Sequence, residues 1–108
     1  MSFKLPKCKI AILKRTINRD LINQYLDDEY RDIGASECFK DGQEIMIEDH
    51  SVVPEGFCAS AWADMRKDIL TVALGGNMPG IRQHGTLITG CTDWVRPVIF
   101  KVEKLGND

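Results

Sequence analysis

The chain lacks a Cys-x-x-Cys pair, so the usual spacing of a zinc knuckle is absent. It lacks a glycine-rich phosphate loop, an HExxH motif and a GxSxG motif, the short patterns that point to nucleotide binding, zinc peptidase and serine hydrolase chemistry. It has no excess of positive charge either. Lys and Arg number 14 against 16 Asp and Glu, a net charge of −2, and no basic patch is interleaved with aromatics. Electrostatics therefore gives no reason to expect nucleic acid. Apolar runs long enough to span a membrane are missing. The first residues, MSFKLPKCKIAILKR, hold no long apolar segment ending at a small-residue cleavage site, so a mature, cytoplasmic protein is expected. Histidine is scarce. His50 and His84 both fall in polar stretches, where a surface histidine is the commoner outcome.

What is present fits one soluble domain over residues 1–108, with 44% hydrophobic and 28% charged residues, enough for a single core. No internal repeat, linker or low-complexity segment divides it. The clearest pattern runs from Pro54 to Gly76. Pro54-Glu55-Gly56 is a turn signal. After it, Cys58, Ala61, Trp62, Met65, Ile69, Val72 and Ala73 recur at helical spacing, while Ser60, Asp64, Lys67, Asp68 and Thr71 fall elsewhere. This predicts a helix over 58–73 with one apolar stripe against a core, ended by Gly75-Gly76.

Around that helix the periodicity changes to two. Lys7–Arg15 reads as a strand with Cys8, Ile10 and Ile12 on one face and Ala11 and Leu13 on the other. Asn18 is placed to cap a helix running through Leu21, Ile22, Tyr25, Leu26 and Tyr30 to a stop at Gly34, with Ile17 stapled to Leu21 or Ile22. Its acidic residues Asp27, Asp28, Glu29 and Asp32 read as a solvated surface. Ala35–Gly42 is expected as a loop and Glu44–Asp49 as a strand with Ile45 and Ile47 inward. Thr86–Cys91 and Pro97–Leu105 then form a hairpin across the Thr92–Arg96 connection, with Pro97 at a strand start because it lacks a donor. The expected fold is α+β in the order βαβαββ: a small four-stranded sheet with two principal helices on one face.

Two stretches, PEGFCASAWADMRKD and CTDWVRPVIFKVEKL, stand with KCKIAILKR before them and FKDGQE between. Together they resemble a small prokaryotic family of uncharacterised repeat proteins, of unknown function. The likeness covers nearly the whole chain. It implies that Cys58, Trp62, Asp64, Cys91, Asp93 and Arg96 lie in recurrent motifs. Glycine is usual in the family where this chain has Trp94. No activity or cofactor comes with the resemblance.

The residues themselves suggest three function classes. The first is a small binding or assembly module, with a ligand-contacting patch built from Cys58, Trp62, Asp64, Asp93, Trp94 and Arg96. Apolar residues on both faces of strands 7–15 and 97–105 make a homo-oligomer the expected partner. The second is a thiolate centre for zinc or an iron–sulfur cluster, with Cys58 and Cys91 as first ligands and Cys8, Cys38 or a histidine completing it. The third is a cysteine-dependent enzyme. There Cys58, in the first turn of a helix where the dipole favours a thiolate, attacks with help from Asp93 or a histidine. The thiolate centre and any shared ligand patch require Cys58, at the start of the central helix, and Cys91, at the end of the third strand, to approach one another in the folded chain.

Overall fold

Alternation along the strands fixes the sheet. In a computed structural model describing residues 4–106, β1 (Cys8–Arg15) turns Cys8, Ile10 and Ile12 into the core. Next come α1 (Arg19–Tyr25), a short 3-10 turn (Asp28–Tyr30), β2 (Glu44–Ile47), α2 (Ala59–Ala73), β3 (Thr86–Gly90) and β4 (Val98–Lys104). The four strands form one antiparallel sheet in the order β2-β1-β4-β3, so the α+β class and the β3–β4 hairpin are as expected. β4 matches β1 by burying Val98, Phe100 and Val102. α2 packs on β3 and β4. Its Met65 and Ile69 are fully buried, worth roughly 1.5–3 kcal/mol each before entropy is charged.

The end of α2 shows why both glycines are there. The Gly75 amide donates to Val72 O and the Gly76 amide to Thr71 O, the paired bonds of a Schellman cap. Gly75 sits at φ +95°, and a Cβ on Gly76 would lie 2.9 Å from the Thr71 carbonyl oxygen. A side chain at Gly76 would clash and one at Gly75 would be strained, so this cap requires glycine at both positions.

α1 is shorter than its pattern suggests. It ends at Tyr25, and Leu26 is already extended. Continuing it would set Asp27, Asp28 and Glu29 against the negative end of the helix dipole. The chain instead restarts as a 3-10 turn with Asp28 and Glu29 in its first turn, where the dipole favours them. Asn18 occupies the N-cap position but makes no side-chain capping bond.

The outer face of the sheet differs from the apolar surface expected. A bulge between Ile12 and Lys14 turns Leu13 out of the alternation, leaving it 47% exposed. Lys9 bridges Glu44 at 3.0 Å and Glu103 at 3.6 Å across three strands. These ion pairs wet part of the face opposite α2.

Loops complete the core. Phe39, from the loop before β2, is buried against Phe57 and Phe100 with ring centroids 5.0 and 5.2 Å away. Arg15 pins that loop by donating from Nε to Asp41 Oδ1 at 3.0 Å and from Nη1 to Ser36 O at 2.9 Å. The guanidinium holds the Asp41 carboxyl below its ordinary pKa. His50, expected at the surface, is buried, with Nε2 2.7 Å from Pro6 O. A carbonyl only accepts, so Nε2 carries the proton in this contact.

Candidate functional site

Cys58 stands one residue earlier than expected, at the N-cap position of α2, with no side-chain capping bond. Its carbonyl accepts from the Trp62 amide at 2.9 Å and opens the helix. Cys58, Trp62 and Cys91 are half-buried and pack against the same buried cluster. Trp62 is a wing of the core: Phe57 meets it edge-on at 5.8 Å, and the Arg66 guanidinium lies 5.3 Å from its ring centroid.

Asp64 makes the contact on which the site depends. Its Oδ2 accepts from both the amide and the hydroxyl of Thr92, each at 2.8 Å. One turn on, Asp68 accepts from the Thr89 hydroxyl at 2.7 Å. Residues four apart share a helix side, so these two carboxylates tie one flank of α2 to the end of β3. The front half of the helix thus reaches the loop after Cys91.

That loop is braced from within and from outside. Asp93 Oδ1 accepts from the amides of Val95 and Arg96, at 3.2 and 3.1 Å, and Asp93 Oδ2 lies 3.6 Å from Arg96 Nε. The expected Asp93–Arg96 pair is present. Asn18 holds the other side: its amide donates to Val95 O at 2.8 Å, and its side-chain Nδ2 to Trp94 O at 2.6 Å. This explains why Asn18 does not cap α1. The Val98 amide donates to Cys91 Sγ at 3.3 Å, so that sulfur is already an acceptor in the turn. Held on both sides, the loop presents Trp94 to water at 76% exposure.

The four thiols do not gather. Cys8 is fully buried on the core face of β1, Cys38 is exposed in the loop before β2, and all four cysteines are free. Among the described residues no three Cys, His, Asp or Glu side chains form a group able to hold a metal ion. The expected four-sulfur set of Cys8, Cys38, Cys58 and Cys91 is therefore not assembled, because the strand pleat turns one sulfur inward and a loop turns another out. Burial pushes the Cys8 thiol pKa up, with Lys104 pulling it the other way. Labelling with a thiol reagent, read residue by residue by mass spectrometry, should find Cys38 modified first, Cys58 and Cys91 more slowly, and Cys8 only on unfolding. Cys8 reacting as fast as Cys38 in the native protein would refute this placement.

Among the described residues, two clefts lie away from these side chains. One is lined by Arg19, Asn23, Arg31 and Asp32, the other by Met46, Ile47, Glu48, Asp49, Val52 and Pro54. Pattern reading missed the roles of Asn18, Thr92 and Asp68. Asp64 and Asp68, four apart on the polar side of the helical stripe, were the available signal. No helix among the described residues is long and apolar enough to cross a membrane. No protein-family model matches this chain, and neither a curated protein nor a solved structure matches it.

Proposed function

We propose that the protein is a small binding or assembly module, with loop 91–97 and the front of α2 as its contact surface. One observation supports this above the rest: Trp94 is 76% exposed on a loop braced by Asp64, Asp93 and Asn18. An indole held out by a rigid loop loses little freedom on docking and covers a large apolar area, the usual profile of an interface anchor. The occupant proposed is a second copy of this chain, giving a symmetric homo-oligomer. Asp64 ties the loop to the helix through Thr92, and Arg96 pairs with Asp93 within it.

Light scattering and intrinsic fluorescence test this on the same samples. The mass should rise with concentration over the micromolar range, and emission should move to shorter wavelength as Trp94 leaves water. Trp94→Ala should remain folded, because the side chain is 76% exposed, and should stay monomeric, because the anchor is gone. A monomer mass for the wild-type chain at every concentration would defeat the assembly reading.

A further inference from the structure

We draw no further inference here: the strongest candidate, the polar cleft beside α1 lined by Arg19, Asn23, Arg31 and Asp32, has its two guanidinium groups already engaged by the carbonyls of Arg31 and Ile33 and by the Asp28 carboxylate, and nothing in the structure shows what occupies it.

Discussion

Replacing Phe100 by alanine should cost about 3–5 kcal/mol, the range for emptying an aromatic site in a packed core. Phe100 is 0% exposed and lies under two other rings: Phe39 edge-on at 5.2 Å and Phe57 stacked at 6.2 Å. It comes from a central strand, while Phe39 and Phe57 come from loops that precede β2 and α2. The truncation therefore removes transfer energy and the platform on which both loops rest. For a domain of this size the loss corresponds to a fall in Tm of roughly 15–25 °C. Urea unfolding followed by far-UV circular dichroism gives the free energy directly. A loss under about 1.5 kcal/mol would mean that the loops collapse to fill the space, and that neither loop depends on the Phe100 ring.

The second large effect is expected at Asp64. Alanine there removes a charged acceptor from two hydrogen bonds of 2.8 Å to Thr92, each of a class worth about 1.5–3 kcal/mol when well shielded. Thr92 is exposed and water replaces part of the loss, so the net cost should be about 1.5–3 kcal/mol in all. The distinctive result is local. Amide exchange at Thr92 should rise, and the loop carrying Trp94 should gain mobility, seen as lower fluorescence anisotropy. Asp68→Ala, which removes a single bond to Thr89, should leave the Thr92 amide protected. Placing Thr92→Val in the Asp64→Ala background should add almost nothing, because the hydroxyl has already lost its acceptor. Unchanged exchange at Thr92 in Asp64→Ala would show that Asp93 and Asn18 alone hold the loop.

The strands were legible in the sequence because alternation of period two depends on neighbours in the chain. α2 was legible for the same reason, its stripe running unbroken from Ala61 to Ala73. The end of α1 was harder: apolar spacing continued past Tyr25, and local electrostatics overrode it. Phe39 and His50 could not be placed from pattern at all, since both sit in loops and are buried by residues distant in sequence. Phe39 meets Phe100, sixty-one positions away, and His50 meets Pro6 across forty-four. Asn18 shows the same limit at the site. A side chain suited to capping its own helix found a better partner in the carbonyl of Trp94, which only the folded chain brings near.

The adjacency of β1 and β4 bears on how the protein can be made. Cys8 is paired with Lys104 and Ile10 with Val102, so the middle of the sheet joins segments separated by most of the sequence. During synthesis the chain leaves the ribosome from its amino end, and residues 98–104 emerge long after Ile10 and Ile12. Until they do, one edge of β1 has no neighbour and the core face of the sheet is only half built. Pairing across so long a loop is slow as well as late. The nascent chain therefore passes through a stage in which its most apolar strand is open to strangers, and a holding chaperone would find its binding site there.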